Sequence, residues 1–378
     1  MINRVLIVAG DPSGDLHGAG VVDELRRRLP DIDLYGIGGD RMKNAGMELI
    51  YNANDLSFMG FAEVVKHLPF IRQVEKSLEG YLVSRRPDIV LLIDYPGFNL
   101  RFARRVKNHG IPAVYYISPQ VWAWGKRRLK KMKHVIDKML VVFPFEKELY
   151  ENERIPAEFV GHPLLDVMRV RLTRAEFFLE QRFDNGDKLL GLFPGSRTQE
   201  IERMLPVMLD AVQLIREHHN IQVAVSKAPN LPAECYRNFL RRLPDARLVE
   251  DKTYELMKYS DAAIVTSGTA TLETACFETP MVVVYKASRI SYFIGRLLVS
   301  VKSIGLVNIV AGKRIVPELI QHEANAEAIA FNINQFFDKP LLAAEIKSEL
   351  AKVKGKLGVP GAAGRVAETL INFQLNRG

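Results

Sequence analysis

Short, continuously apolar runs recur along the chain, and turn residues bound each of them. A strand that is covered on both faces of a parallel sheet does not alternate between apolar and polar side chains, so such runs predict buried parallel strands. The predicted strands are Val5–Ala9, Leu34–Ile37, Asp88–Ile93, Ala113–Ile117, Met139–Phe143, Leu189–Phe193, Ile221–Val225, Ala262–Val265 and Met281–Tyr285. Amphipathic segments such as Gly18–Arg28 and Leu205–His218 separate the runs and predict helices. This alternation predicts an α/β protein with doubly wound parallel sheets.

The alternation of strands and helices breaks near the middle of the chain. His162-Pro163 is followed there by a charged, helix-like stretch, Arg169–Arg182, and by the turn Asn185-Gly186. The length of 378 residues, at about 150 residues per domain, also favours two domains. We therefore predict a first domain over residues 1–168 and a second domain over residues 187–350.

The composition, with 48% hydrophobic and 25% charged residues, excludes disorder, collagen-like repeats and coiled coils. The two cysteines, Cys235 and Cys276, are too few for a disulfide scaffold, and neither belongs to a cluster that would hold zinc. No run of about 18 apolar residues predicts a transmembrane helix, and the run Val5–Ala9 is too short for a signal peptide. We expect a cytoplasmic protein whose contact with a membrane is peripheral.

The formal net charge of +8 favours a polyanionic partner, which could be nucleic acid, acidic lipid or a phosphorylated substrate. The densest basic cluster, residues 126–134, directly follows the two tryptophans, Trp122 and Trp124. Tryptophan rings at this position could stack on a sugar or lie at the boundary of lipid headgroups. The basic cluster is either a solvated helix face or a patch for anionic phospholipid, and the charge alone leaves both open.

Ligands of parallel α/β sheets bind beyond the carboxyl ends of the strands, so the loops after the strands are candidate sites. After the first strand, a glycine-rich loop with Ser13, Gly14 and Asp15 leads into a helix whose free N–H groups could hold an anion or a sugar. The alternative is an ordinary tight turn. Asp94 directly follows a buried strand, where a general base would lie, although it could instead cap the next helix or accept backbone N–H groups.

Two loops in the second half carry residue types that bind phosphate. Gly195, Ser196 and Arg197 follow a predicted strand and combine helix N-terminal N–H groups with a positive charge. The other loop follows the strand that ends at Val265 and contributes Ser267, Gly268, Thr269, Ala270, Thr271 and Glu273. Its glutamate could accept both hydroxyls of a ribose. The two loops together predict a nucleoside diphosphate site in preference to two ordinary capped helices.

One apolar stripe has two interpretations. Its members, which have helical spacing, are Phe61, Val64, Val65, Leu68 and Ile71. The simpler interpretation is a helix that faces the core. A second stretch at residues 292–302 is also apolar and basic, and the two together could form a surface that binds a bilayer or holds acyl chains.

Nine sequence blocks follow one another between the first strand and Glu318. The blocks are Gly10-x-x-Ser13-Gly14-Asp15, Gly38-Gly39-x-Arg41-Met42, Met59-Gly60-x-x-Glu63-Val64, Ile93-Asp94-x-Pro96-x-Phe98-Asn99, Ser118-Pro119-x-Val121-Trp122-Ala123-Trp124, Pro144-Phe145-Glu146, Phe159-Val160-Gly161-His162-Pro163, Pro194-Gly195-Ser196-Arg197-x-x-Glu200-Ile201 and Ser267-Gly268-Thr269-Ala270-Thr271-Leu272-Glu273. In this order they closely resemble the lipid-A-disaccharide synthase family. The Trp-Ala-Trp and Gly-Ser-Arg blocks are the ones specific to this family.

The resemblance implies a GT-B glycosyltransferase with two Rossmann-like domains that face each other across a cleft. A C-terminal helix at about residues 355–378 is expected to pack back on the first domain. The family joins UDP-2,3-diacylglucosamine to 2,3-diacylglucosamine 1-phosphate, which gives the β-1,6-linked lipid A disaccharide 1-phosphate and UDP, and it uses no metal or other cofactor. The expected partners are these two lipids and an anionic inner-membrane surface rather than nucleic acid; a homodimer stays open.

By motif, Asp94 matches the family's essential acidic residue, and Arg197 matches its essential arginine. The resemblance also places Ser196, the loop Ser267–Glu273 and Asn308 where the donor nucleotide is expected. We therefore predict an inverting displacement in which Asp94 takes the proton of the acceptor 6-hydroxyl and Arg197 offsets charge on departing UDP. The alternatives are another UDP-sugar enzyme of this fold, namely an epimerase or a peptidoglycan-lipid glycosyltransferase, and a basic nucleotide- or RNA-binding protein. The blocks around Asp94 and Trp122 favour the lipid A enzyme.

Overall fold

The computed structural model describes residues 2–56, 67–122, 127–287 and 303–373. The chain forms two compact units, of which the first contains residues up to 166 together with those from 357 onwards, and the second contains residues 167–356. Each unit has one sheet, and every described strand pair is parallel. The predicted α/β class with two doubly wound, Rossmann-like sheets is confirmed.

The sheet of the first unit has seven parallel strands. They are β1 Arg4–Ala9, β2 Asp33–Gly38, β3 Glu48–Asn52, β4 Ile89–Ile93, β5 Ala113–Tyr116, β6 Lys138–Val141 and β7 Ala157–Phe159. The described helices between them are α1 Pro12–Arg28, α2 Asp40–Asn44, α3 Leu68–Ser84, α4 Pro96–Asn108, α5 Arg127–Met132 and α6 Pro144–Asn152, and α7 Leu164–Val167 follows β7. The strand order is β3-β2-β1-β4-β5-β6-β7, so the winding reverses between β1 and β4. Sheets of this type bind ligands beyond the carboxyl ends of the strands at such a reversal.

The sheet of the second unit has six parallel strands. They are β8 Lys188–Phe193, β9 Ile221–Ser226, β10 Arg247–Val249, β11 Ala262–Thr266, β12 Met281–Tyr285 and β13 Glu318–Ile320. The described helices of this unit are α8 Arg174–Gln181, α9 Thr198–Arg216, α10 Glu234–Leu240, α11 Thr253–Tyr259, α12 Ala270–Cys276, α13 Leu306–Ala311, α14 Ala326–Asp338 and α15 Pro340–Lys356. The strand order is β10-β9-β8-β11-β12-β13, so here the winding reverses between β8 and β11.

The strands at these reversals are buried along their length. All five residues of β4 and all five of β11 are buried, and both strands consist mainly of apolar side chains. Such strands form the rigid centre of a doubly wound sheet, because neighbours cover both faces. The loops that follow β4 and β11 therefore begin at well-fixed positions.

The helix α3 contains part of the apolar stripe and decides there between a core helix and a membrane surface. It begins at Leu68, which is partly buried, and Pro69 lies in its first turn, where proline is tolerated. Ile71 is only 4% exposed and packs in the core of the first unit with Val74 and Leu78. Ile71 therefore does not belong to a membrane surface, which corrects its predicted role. Phe61, Val64 and Val65 lie outside the described residues, as does the stretch 292–302.

The last helix, α16 Ala362–Ile371, packs on α1 within the first unit. The contact is close, because a Cβ built on Gly20 would lie 3.2 Å from the Cβ of Ala363. The Arg365 guanidinium donates a hydrogen bond of 2.7 Å to the Val160 carbonyl and anchors the helix beside the end of β7. The predicted return of the C-terminal helix to the first domain is confirmed. No helix among the described residues is both long and apolar enough to span a bilayer.

Candidate active site

Asp94 lies directly after β4, at the winding reversal of the first sheet. Asp94 and Tyr95 have positive φ angles of 44° and 46°, a conformation that costs non-glycine residues about 1–3 kcal/mol each. Two side chains hold this strained turn. The buried amide of Asn99 donates to the Asp94 carbonyl at 2.7 Å, and the Tyr115 hydroxyl donates to the same carbonyl at 2.5 Å. The backbone of Asp94 is therefore fixed by bonds from two elements.

The carboxyl group of Asp94 has a raised proton affinity. Burial and, to a lesser degree, the negative charge of Asp11 raise the pKa of Asp94 to about 6, against a hydrogen bond from the Tyr95 backbone N–H that lowers it. No side chain of the described part of the chain caps α4, so capping does not explain this aspartate. A carboxylate with this pKa is ionised at neutral pH and is better able to accept a proton than an ordinary aspartate.

The glycine-rich loop after β1 is organised by two carboxylates. Asp11 caps α1 by accepting the Gly14 N–H at 2.6 Å. Asp15 is buried, and its carboxylate accepts three backbone N–H groups at the start of α2, at 2.7, 3.0 and 3.2 Å. Asp15 therefore ties together the loops after β1 and β2, which gives it a structural role instead of the ligand contact that we expected. Ser13 is exposed in the first turn of α1.

Trp122 is held at the same edge of the first sheet by a buried carboxyl group. Its indole N–H donates to Glu146 at 3.2 Å, and the Ser118 hydroxyl donates to the same oxygen at 2.6 Å. Burial raises the pKa of Glu146 to about 7 although these hydrogen bonds lower it. The indole also packs edge-on against Phe145, with ring centroids 5.6 Å apart. Trp122 is thus fixed in orientation, whereas Trp124 lies outside the described residues.

A cavity of about 890 Å³ lies at the carboxyl edge of the second sheet. All of its lining residues belong to the second unit. The predicted residues among them are Gly195, Ser196, Arg197, Ser267, Gly268, Thr269, Ala270 and Glu273. The two predicted loops come together because β8 and β11 are neighbours on either side of the winding reversal. The volume suits a small-molecule site.

The loop after β8 is arranged around Glu200. Gly195 has a φ of 115°, and a Cβ built on it would lie 2.5 Å from a carboxylate oxygen of Glu200, so only glycine fits. The Ser196 N–H donates to Glu200 Oε2 at 2.9 Å, and Arg197 Nη1 donates to Glu200 Oε1 at 3.0 Å. The Arg197 side chain is 64% exposed, so the guanidinium is accessible in spite of this ion pair.

The wall formed by β11 and α12 contains two polar groups with few partners. Thr266 is 3% exposed, and its buried hydroxyl oxygen has no hydrogen-bond partner among the described residues. Burial raises the pKa of the Glu273 carboxyl, and its one partner in the described parts of the chain, the Tyr254 hydroxyl, donates at 3.3 Å. Buried polar groups are normally satisfied within the fold. Their presence in a cavity wall is typical of a site that binds polar ligand groups.

Two predicted nucleotide contacts have structural roles instead. Thr271 is fully buried, and its hydroxyl donates to the Gly268 carbonyl at 2.8 Å. Asn308 is also buried, and its amide group donates to Glu318 at 2.7 Å and to the Val316 carbonyl at 3.0 Å, while its oxygen accepts two backbone N–H groups. Neither residue lines the cavity, which corrects their predicted role. Both stabilise loops behind it.

A family model described as lipid-A-disaccharide synthetase matches residues 5–354. The chain belongs to the lipid-A-disaccharide synthase family. The lipid-A-disaccharide synthase of Geobacter sulfurreducens is 43% identical over 373 residues, which are 98% of this chain and 97% of the relative. The lipid-A-disaccharide synthase of Syntrophus aciditrophicus is 46% identical over 366 residues, or 96% of each protein. The resemblance inferred from the sequence blocks is confirmed.

Solved structures with a similar fold include sugar-nucleotide enzymes outside the lipid-A-disaccharide synthase family. The UDP-GlcNAc 2-epimerase of Neisseria meningitidis, bound to UDP-GlcNAc, has a TM-score of 0.66 and 16% identity over 98% of this chain and all of the epimerase. The calicheamicin glycosyltransferase has a TM-score of 0.63 and 14% identity, with 98% of both chains covered. At these identities the likeness shows the GT-B fold alone.

Several residues in the cavity wall of this lipid-A-disaccharide synthase family member belong to no recognisable sequence motif and were not predicted. Arg169 and Arg171 line the cavity and are exposed, yet they lie in the stretch that we assigned to the domain boundary. The Arg171 backbone N–H donates to Glu255 at 2.8 Å, which fixes this segment on α11. Tyr254 was missed as well. The one available signal was the excess positive charge of residues 169–182.

Proposed function

We propose that the protein transfers a diacylglucosaminyl group from UDP-2,3-diacylglucosamine to the 6-hydroxyl of 2,3-diacylglucosamine 1-phosphate, with inversion at the anomeric carbon. The products are the β-1,6-linked lipid A disaccharide 1-phosphate and UDP. The observation that carries the proposal is the cavity between the loops after β8 and β11 in a chain of this family. Its wall supplies both the donors for a diphosphate and the acceptors for a sugar.

The second unit is proposed to bind the nucleotide half of the donor. The N–H groups in the first turn of a helix have no backbone partner within the helix, so those at the starts of α9 and α12 suit phosphate oxygens. The Ser196 N–H, just before α9, is offered to the same diphosphate, although in this structure it donates to Glu200. The accessible guanidinium of Arg197 adds a positive charge on the same loop. The buried carboxyl of Glu273 is suited to accept the ribose hydroxyls, because Tyr254 is its only hydrogen-bond partner within the described ranges.

The first unit is proposed to supply the base. Asp94 takes the proton of the acceptor 6-hydroxyl while its oxygen attacks the anomeric carbon of the donor. The new C–O bond forms as the bond to the UDP oxygen breaks, and the electron pair leaves with UDP. The developing charge on UDP is stabilised by Arg197 and by the loop N–H groups. Trp122 offers a fixed aromatic face at the acceptor side, where a sugar ring can stack.

Mass spectrometry of the reaction products tests this function directly. We expect a disaccharide 1-phosphate that carries four acyl chains, and one UDP per disaccharide, when the purified protein is incubated with both diacylated substrates. Donor without acceptor should stay intact, which is the control for simple hydrolysis. A change in the configuration of the donor sugar without disaccharide, detected by NMR because epimers have equal masses, would instead identify a sugar epimerase.

We further propose that the protein contacts an anionic membrane peripherally at the inner membrane, through Val64, Val65 and neighbouring apolar residues and through the basic cluster. Lys130, Lys131 and Lys133 are exposed in and after α5, so this part of the cluster is available to lipid phosphates. Both proposed substrates carry acyl chains, which makes access to the bilayer necessary.

Vesicle sedimentation tests this membrane contact. We expect that Val64→Ser with Val65→Ser strongly reduces binding to vesicles containing anionic phospholipid, because apolar contact is lost. Val83→Ser is the matched control, since Val83 is a 67% exposed valine in α3 outside the proposed surface. Undiminished binding of the double variant would assign these valines to the core. A loss in the control as well would mean that the effect is not local.

A further inference from the structure

The carboxylate of Glu200 uses the same hydrogen-bond donors that the proposed site offers to a diphosphate. Its Oε2 accepts from the Ser196 N–H and its Oε1 accepts from the Arg197 guanidinium. Its side chain is 18% exposed and lines the cavity. A negatively charged oxygen group thus lies on the two donors of this loop.

Carboxylate and phosphate oxygens compete for such donors because both are anionic acceptors. A backbone N–H that already donates at 2.9 Å cannot donate at full strength to a second anion. A phosphate oxygen that binds the Ser196 N–H must therefore displace Glu200 Oε2. If Glu200 stayed beside the bound diphosphate, its charge would also repel it.

The local geometry favours this contact over an accidental one. Glycine at position 195, with its φ of 115°, leaves the space that the Glu200 carboxylate fills. The Asn230 amide donates to the Ser196 carbonyl at 3.0 Å and so holds the loop from its other side. The hydroxyl of Thr266 elsewhere in the wall, which no described residue pairs, independently indicates that this cavity binds a polar ligand. The simpler role for Glu200 is to cap the N-terminus of α9 from its first turn.

We propose that Glu200 is an intramolecular competitor of the donor diphosphate and thereby sets the affinity of the site for UDP. Its carboxylate holds the Ser196 N–H and Arg197 until the nucleotide displaces it. This inference rests on the proposed function, because it requires UDP to bind in this cavity. The consequence for the reaction is a lower affinity for the product UDP, which speeds the release step that often limits turnover.

Calorimetric titration of UDP and of uridine tests the competition. In Glu200→Gln the side chain keeps its size but loses its charge, and neutral hydrogen bonds are about half as strong as charge-assisted ones. We expect the Kd of UDP to fall by about five- to tenfold in this variant, which corresponds to roughly 1–1.4 kcal/mol. The Kd of uridine, which has no phosphate, should stay unchanged.

Glu202→Gln is the matched control. Glu202 is exposed in the same turn of α9 and does not line the cavity, so this variant makes the same change in net charge. An equal gain in UDP affinity in both variants would reduce the effect to long-range electrostatics and overturn the competitor role. A lower melting temperature with unchanged or weaker UDP binding in Glu200→Gln would assign Glu200 to capping or to positioning Arg197, and would also overturn it.

Two further outcomes separate this inference from the proposed function. If the wild-type protein binds neither UDP nor uridine, the nucleotide site itself is wrong, and both proposals fail. If it binds UDP and only the gain in Glu200→Gln is missing, the competitor role alone fails. Glu200→Ala, measured in the same way, removes the carboxylate entirely and should also bind UDP more tightly. It keeps the test decisive should the glutamine variant not fold.

Discussion

Asp94→Asn is expected to lower kcat by about 100- to 10,000-fold, the range lost when a general base is removed, while the protein stays folded. Asparagine has the size of aspartate but cannot take the proton of the acceptor hydroxyl. The backbone bonds from Asn99 and Tyr115 reach the carbonyl of residue 94 and not its side chain, so the strained turn should persist. Disaccharide formation under substrate saturation is the measurement. Asp23→Asn, an exposed aspartate in α1, is the control for the same chemical change.

The direction of the pH dependence follows from the pKa of Asp94, and kcat/KM is the quantity to measure because it reports the pKa values of the free protein. The base must be ionised, and the pKa of Asp94 is raised to about 6, mainly by burial. The kcat/KM of the wild-type protein should therefore fall as the pH drops through about 6 and level off above it. Asp11→Asn removes the second cause of the raised pKa and should move the fall to lower pH. Asparagine caps helices as well as aspartate does, so α1 should be retained.

Two results would remove Asp94 from the base role. One is normal turnover by Asp94→Asn. The other is a wild-type profile whose fall at low pH does not move in Asp11→Asn, because the Coulombic contribution of Asp11 belongs to Asp94 in particular. If Asp94→Asn melted far below the Asp23→Asn control, the loss of activity would instead be due to loss of the turn after β4.

The sequence pattern predicted the central strands and missed the edges, and the reason is physical. β3 and β7 are the outer strands of the first sheet, and β10 and β13 are those of the second. An edge strand has a neighbour on one side only and is less covered, so it needs no continuous apolar run. Three of the four are three residues long, which is too short for any periodicity to emerge. The central strands were readable because burial on both faces leaves a run with no polar positions.

The site was predictable as far as topology determines it. The loops after β8 and β11 meet because their strands are neighbours at the winding reversal, and most of the predicted nucleotide-site residues therefore line one cavity. The partners of individual polar side chains were not predictable. Asp15 and Asn308 have the residue types of ligand contacts, yet backbone groups satisfy the Asp15 carboxylate from 24 and 27 residues away and much of the Asn308 amide from seven and eight residues away. A sequence motif does not show whether a polar side chain contacts a ligand or pairs with backbone groups of the fold.

The stripe that contains Ile71 shows the same limit for apolar residues. Helical spacing indicates that such residues share a face, but a core and an acyl-binding surface require the same residue types. Its burial assigns Ile71 to the core, but this burial by itself assigns neither Val64 nor Val65 to the core or to a surface. The vesicle experiment is therefore needed for the part of the stripe outside the described residues.

Arg197→Ala is expected to lower kcat by about 100- to 1,000-fold, the loss typical of removing one group that stabilises developing charge in a transition state. The reason is that charge on the UDP oxygen grows as the bond to the anomeric carbon breaks, and Arg197 is the positively charged side chain on the loop after β8 that lines the cavity. Initial rates of UDP release over a range of donor concentrations measure kcat and KM separately. Arg203→Ala, an exposed arginine on α9, controls for the loss of one positive charge.

The division of the loss between kcat and KM tells whether Arg197 acts on the reaction or on binding. A loss confined to KM would make it a uniform binding group and contradict the charge-stabilising role. Arg197→Lys refines the result, because lysine keeps the charge but not the planar pair of donors. If the charge alone matters, lysine should restore most of kcat. If the diphosphate requires two parallel hydrogen bonds, lysine should remain close to alanine, and the geometry of the guanidinium, not its charge, would then account for the rate.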